Sequence, residues 1–156
     1  MKIVLDCLGG DFGPGPNVDA AVQIARERGY EIVLVGRQEI VRPLLVQHNT
    51  ANLHLPIVHA SEVIEMHEHP AQAVKTKKDS SMVMGVQMVR DGDADAFVTM
   101  GNTGGALAAA TAHGDFDFAA ADRAYGHAFA QFGLHFRKGY ERTTVAAVRR
   151  MEIGED

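Results

Sequence analysis

Residues 6–14 read DCLGGDFGP, directly after the apolar run Ile3-Val4-Leu5. Two carboxylates, Asp6 and Asp11, bracket the Gly9-Gly10 pair. A short apolar strand ends on glycines here, and Pro16 then opens a helical pattern, which is how a parallel βαβ unit begins. Two readings fit the loop. One is a tight strand-to-helix turn in which Asp11 satisfies backbone donors. The other is a bare backbone that lets a phosphorylated ligand come close, because glycines take positive φ and carry no Cβ. The G-x-G-x-x-G spacing of dinucleotide sites is absent.

Outward from this loop, apolar runs and helical stripes alternate. Lys2–Leu8, Glu31–Val35 (EIVLV), Leu55–Ala60 (LPIVHA) and Ala94–Met100 (ADAFVTM) read as strands. Val18, Ala21, Val22 and Ala25 form a helical stripe that Gly29 stops. Gln38–Gln47 reads as a short helix bent near Pro43, and Ala71–Lys78, Ser80–Arg90 and Gly104–Ala112 as further helices. Tyr125, Ala128, Phe129, Phe132 and Phe136 lie on one stripe within Ala119–Gly139, the pattern of a core helix, and Thr143–Val148 reads as a fifth strand. Continuous apolar strands between amphipathic helices predict an α/β fold: one doubly wound, mainly parallel sheet with helices on both faces, in a single domain over 1–156. Right-handed crossovers then bring the C-terminal ends of the parallel strands to one edge, where ligands bind.

Composition narrows the class. The chain has 156 residues, 46% hydrophobic and 22% charged, the balance of a globular domain that can bury a core. A net charge of −5 gives no case for nucleic acid. The single cysteine, Cys7, sits in an apolar run and has no internal partner. No signal-peptide pattern opens the sequence and no apolar stretch approaches the roughly 18 residues of a membrane span, so the expectation is a cytoplasmic protein.

Four stretches offer chemistry. At 101–107, GNTGGAL follows the fourth strand and leads into a helix. Its N–H groups and dipole make a seat for an anion, with Asn102 and Thr103 as side-chain donors and Gly104 and Gly105 as bare backbone. The bland alternative is that Asn102 or Thr103 caps the helix. At 75–81, KTKKDSS places Lys75, Lys77 and Lys78 before a helix whose N-cap is Asp79, Ser80 or Ser81. These lysines face an anionic substrate or an acidic partner, or else form a solvated basic corner. At 65–70, EMHEHP offers Glu65, His67, Glu68 and His69, but His67 and His69 share a face only on a strand and Pro70 follows at once, so no metal is expected. Nothing in the sequence calls for a cofactor.

DCLGGDFGP, HASEVIEMHEHPAQAVKTKKDSSM at 59–82 and GDADAFVTMGNTGGALAAA at 92–110 together resemble the bacterial phosphate acyltransferase family (PlsX) of phospholipid synthesis. FAQFG at 129–133 and the terminal IGED resemble later pieces of that family. The resemblance implies transfer of a fatty acyl group from acyl carrier protein to inorganic phosphate, giving acyl phosphate. It implies a fold like that of phosphotransacetylases and isocitrate-type dehydrogenases, and a homodimer. It also implies a shortened relative, with a stretch missing between Ala110 and Asp115. The family's membrane-associating surface falls in parts not represented here. Within that reading Asn102, Thr103 and the N–H groups of Gly104 and Gly105 hold phosphate or the thioester oxygen. Lys78, or else Lys75 or Lys77, supplies positive charge. Gly9, Gly10, Ser80 and Ser81 complete the substrate-binding set, and Asp6 and Asp11 fix the glycine loop or orient a lysine, since two anions repel in a dry site. The alternatives are a non-catalytic anion-binding domain and a phosphotransacetylase-like enzyme for small acyl groups.

Overall fold

The computed structural model describes residues 1–113 and 146–148. Its elements run β1 (Lys2–Asp6), α1 (Pro14–Arg28), β2 (Glu31–Gly36), α2 (Gln38–Val46), β3 (Ile57–His59), α3 (Pro70–Thr76), α4 (Ser81–Asp91), β4 (Ala96–Val98), α5 (Thr103–His113) and β5 (Ala146–Val148). The aromatic stripe at 125–136 and the full extent of the domain lie outside the described residues.

The strands form one sheet in the order β3-β2-β1-β4-β5. β1 pairs in parallel with β2 and with β4, and β2 pairs in parallel with β3. β5 is antiparallel to β4, with Ala96 opposite Val148. The sheet is therefore mainly parallel, with its last strand reversed.

Period-two alternation sends the strand residues to two cores. Ile3, Leu5, Ile32, Leu34 and Val98 pack against Val18, Ala21 and Val22 of α1 and Val41 of α2. Val4, Val33, Val35 and Phe97 pack against Val74 of α3, Met82, Val83 and Val86 of α4, and Ala106 and Ala109 of α5. Burial on both faces explains why Ile3–Leu5 of β1 and Ile32–Val35 of β2 are apolar in unbroken runs.

Local signals set the helix limits. α1 starts on Pro14 and ends at Gly29, whose left-handed φ of 67° closes it with an N–H bond to the Ala25 carbonyl. Ser80 caps α4 by accepting from Val83 N, and Gly92 ends it with φ 84°. Pro43 lies inside α2. Three strands are shorter than their apolar runs. β1 stops at Asp6 because that side chain takes the next two free amides, Leu8 N and Gly9 N, and turns the chain. β3 and β4 keep only Ile57–His59 and Ala96–Val98.

After β3, at one edge of the sheet, the chain crosses back to lay β4 on the other side of β1. Winding reverses between β1 and β4, so the C-terminal ends of these two strands open a crevice.

Gly85 brings α4 onto the sheet. A Cβ there would stand 2.4 Å from the ring of Phe97, which is itself fully buried. Gly85→Ala gains up to about 1 kcal/mol of helix propensity and loses about 1–3 kcal/mol to overpacking. At 2.4 Å the clash wins, and urea unfolding should show a net loss of about 1–2 kcal/mol. A variant as stable as the parent would contradict this packing.

Candidate functional site at the β1–β4 crevice

The crevice floor is a buried carboxyl. Asp6 is 1% exposed. Its Oδ1 accepts hydrogen bonds from Leu8 N at 3.1 Å, Gly9 N at 3.0 Å and Ser81 Oγ at 2.7 Å. Its Oδ2 accepts from Thr99 Oγ1 at 2.8 Å. Thr99 Oγ1 in turn accepts from Gly101 N at 2.9 Å. One side chain thus ties the β1–α1 loop, the start of α4 and the β4–α5 turn together.

The glycines permit this closeness. A Cβ on Gly9 would stand 2.6 Å from Asp6 Oδ2 and 2.9 Å from Gly101 N. Gly10 has φ 98°, and a Cβ there would lie 3.3 Å from the Met100 carbonyl oxygen. The two glycine loops therefore meet backbone to backbone at one sheet edge. Asn17 Nδ2 secures the first loop from α1, donating to the carbonyls of Cys7 and Gly9 at 2.9 Å each.

The β4–α5 side is held by Asn102. Its Oδ1 accepts from Gly105 N at 2.9 Å, the geometry of a helix cap. Its Nδ2 donates to the carbonyls of Glu65 at 3.1 Å and Glu68 at 3.2 Å. The strap that these residues form is fastened again by Lys77, whose Nζ reaches the Val63 carbonyl at 2.7 Å and Glu68 Oε2 at 2.6 Å. Ser61 and Asp79 join the start of the strap to the turn before α4 through the Ser61 hydroxyl.

These bonds redefine several sequence expectations. The Asn102 side chain and the Gly105 N–H are spent within the protein, so neither is open to phosphate. The Gly104-Gly105 pair serves packing: Cβ atoms there would come within 2.7 Å of Pro70 Cγ and 3.1 Å of Met82 Sδ. Lys77 is a structural clamp. Ser80 Oγ donates to the Lys77 carbonyl at 2.8 Å, and Ser81 Oγ to Asp6, so both hydroxyls hold α4 in place. Asp6, and not the exposed Asp11, supplies the acceptors of the glycine loop. Thr103 is exposed in the first turn of α5, and Gly104 is half-buried beside it. Lys75 and Lys78 are exposed, with Lys78 Nζ 3.2 Å from the Val74 carbonyl.

Thr99 and Asn17 escaped the sequence reading. Asn17 carried a signal, being a polar residue one turn before Ala21 on the apolar stripe of α1. Thr99 carried one too, as a hydroxyl in an otherwise apolar strand end.

Electrostatics follow from burial. Desolvation raises the Asp6 carboxyl above its ordinary 3.8 despite the bonds from Ser81, Thr99, Leu8 and Gly9. Burial, with the neighbouring Asp6 charge, pushes the Cys7 thiol up. The hydrogen bond from Lys77 holds Glu68 below its usual range, and that from Ser61 does the same for Asp79. Among the described residues no group of three His, Cys, Asp or Glu side chains is placed to hold a metal. None of their helices is long and apolar enough to cross a membrane.

Fold and site together define a doubly wound α/β protein with a glycine-lined crevice at its switch point. The family model described as "Fatty acid synthesis protein" matches residues 1–115. A phosphate acyltransferase of Herpetosiphon aurantiacus is 50% identical over 110 residues, covering 70% of this chain and 30% of that protein. A phosphate acyltransferase of Pelotomaculum thermopropionicum is 42% identical over 154 residues, 99% of this chain and 39% of that protein. A solved phosphotransacetylase from Streptococcus pyogenes is 27% identical with a TM-score of 0.49, covering 70% of this chain and 36% of that one. The chain belongs to the fatty acid synthesis protein family, and it spans about a third of the length of the curated relatives it matches.

The raised Asp6 carboxyl makes a pH prediction. The folded chain keeps this proton at pH values where the unfolded chain has lost it. Its contribution is complete below the ordinary 3.8 and is lost as pH rises through the raised folded value. Glu68 and Asp79 act in the opposite sense, losing their contribution as pH falls, so the test compares the parent with Asp6→Asn. In urea unfolding at stepped pH, the difference between the two should move against the parent as pH rises above the ordinary carboxylate range. A difference independent of pH would contradict the buried, protonatable Asp6.

Proposed function

We propose that this chain supplies the phosphate-side crevice of an enzyme that moves a fatty acyl group from acyl carrier protein to inorganic phosphate. What supports the reading is the 50% identity to a phosphate acyltransferase over 110 residues, together with the family match over residues 1–115, which hold both glycine loops. Acyl phosphate forms when a phosphate oxygen attacks the thioester carbonyl and the carrier thiolate leaves. The reaction needs phosphate fixed near the carbonyl and donors aimed at the developing oxyanion.

In this proposal the Gly104 N–H and the Thr103 hydroxyl, at the positive end of α5, hold phosphate or the thioester oxygen. Lys78, with Lys75 three residues before it, offsets the anionic nucleophile and draws in an acidic carrier protein. Asn102 and Gly105 act one step back by capping α5, and Gly9 and Gly10 let the two loops close on each other. The protein works in the cytoplasm as a homodimer. A non-catalytic anion-binding domain is the second reading, and one observation favours it: the Asn102 amide and the Gly105 N–H are already used within the fold.

The test is formation of acyl phosphate from acyl-carrier-protein thioester and inorganic phosphate. Thr103→Ala should cost about 1–3 kcal/mol in kcat/KM for phosphate, with the circular dichroism spectrum unchanged. Lys78→Ala should lower the rate less as salt rises, because the lysine is exposed. Turnover that survives in both variants removes these roles, and phosphate binding without turnover in the parent favours the second reading.

A further inference from the structure

We propose that Asp6 and Thr99 are paired positioning residues that set the gap between the two glycine loops, and with it the geometry of the phosphate seat. The inference rests on the acyl-transfer reading and assigns roles to two groups that the chemistry itself does not use.

The Thr99 hydroxyl has one proton and two lone pairs. Its proton goes to Asp6 Oδ2 at 2.8 Å, which leaves a lone pair for Gly101 N at 2.9 Å. The other carboxylate oxygen holds Gly9 N at 3.0 Å. The amides of Gly9 and Gly101 therefore hang from one two-residue bridge. Gly9 and Gly101 are in backbone contact, with the Gly9 Cα 3.4 Å from where a Gly101 Cβ would stand. Gly101 is followed by Asn102, which caps α5, and by Thr103 and Gly104, which carry the proposed donors. A shift of the bridge thus moves the first turn of α5 relative to the β1–α1 loop.

The bridge has direction. Oδ1 accepts three donors and Oδ2 one. In Asp6→Asn the Oδ1 atom can keep its three donors, and the new Nδ2 then faces Thr99. The threonine hydroxyl must become an acceptor there, and its own proton loses a buried partner. Cys7 is the titratable neighbour of this network, and its thiol stays protonated beside Asp6. Loop spacing is therefore governed by the acceptor at Asp6 Oδ2 and the hydroxyl on Thr99.

Thr99→Val keeps the shape and deletes the bridge, and Thr99→Ser restores the hydroxyl. The full chain is followed by hydrogen exchange at the Gly9 and Gly101 amides, by NMR titration with inorganic phosphate, and by KM and kcat for phosphate. Thr99→Val should lose protection at Gly101 and weaken phosphate binding and KM by about tenfold to a hundredfold, with kcat less affected, and Thr99→Ser should recover most of both. Unchanged Gly101 protection in a folded Thr99→Val overturns the bridge. Lost protection with parental phosphate affinity overturns the positioning role alone. If Thr99→Val fails to fold, Thr99→Ala, which also deletes the hydroxyl, carries the same two comparisons. A parent chain in which no amide responds to phosphate, and which makes no acyl phosphate, overturns the acyl-transfer reading itself.

Discussion

A carboxyl group buried at the end of a central strand governs this structure. Burying Asp6 is costly unless its oxygens find donors, and the donors come from three separate places in the chain. The adjacent loop offers two amides, α4 offers Ser81, and β4 offers Thr99. Ser81 and Thr99 lie 75 and 93 residues from Asp6, so the network forms only when β4 has crossed back beside β1. The same event creates the switch-point crevice, and one interaction therefore couples fold topology to the candidate site.

The glycines make sense in that light. Gly9 accommodates the Asp6–Thr99 bridge, and Gly10 takes a positive φ against Met100. Gly104 and Gly105 let α5 sit against Pro70 and Met82. A glycine-rich loop of this kind is first a device for close approach. Of the donors near α5, the protein uses the Asn102 amide and the Gly105 N–H for itself.

Periodicity made most of the fold legible. Ile32, Val33, Leu34 and Val35 are apolar in succession because the strand is covered on both faces, and Val18, Ala21, Val22 and Ala25 mark the buried side of α1. Strand ends were overextended because an apolar residue such as Leu8 says nothing about where Asp6 captures the next amides. The reversal of β5 was not legible, since direction is a matter of connection and not of composition. In the site, the loops and their shared edge could be read, but the division of labour could not. Lys77 and Lys78 are alike in sequence. Only the fold shows that Lys77 reaches Glu68 and the Val63 carbonyl, while Lys78 stays exposed. The bond from Ser81 to Asp6 is invisible in sequence because it spans 75 residues.

The most direct test of the whole account is a crystal structure of the chain with inorganic phosphate at saturating concentration. The account predicts phosphate in the β1–β4 crevice, within hydrogen-bonding distance of Gly104 N and the Thr103 hydroxyl. The Asp6 carboxyl should still be bridged through Thr99 to Gly101 beneath it. Phosphate held only by the exposed lysines before α4, with the crevice closed to it, would contradict the account.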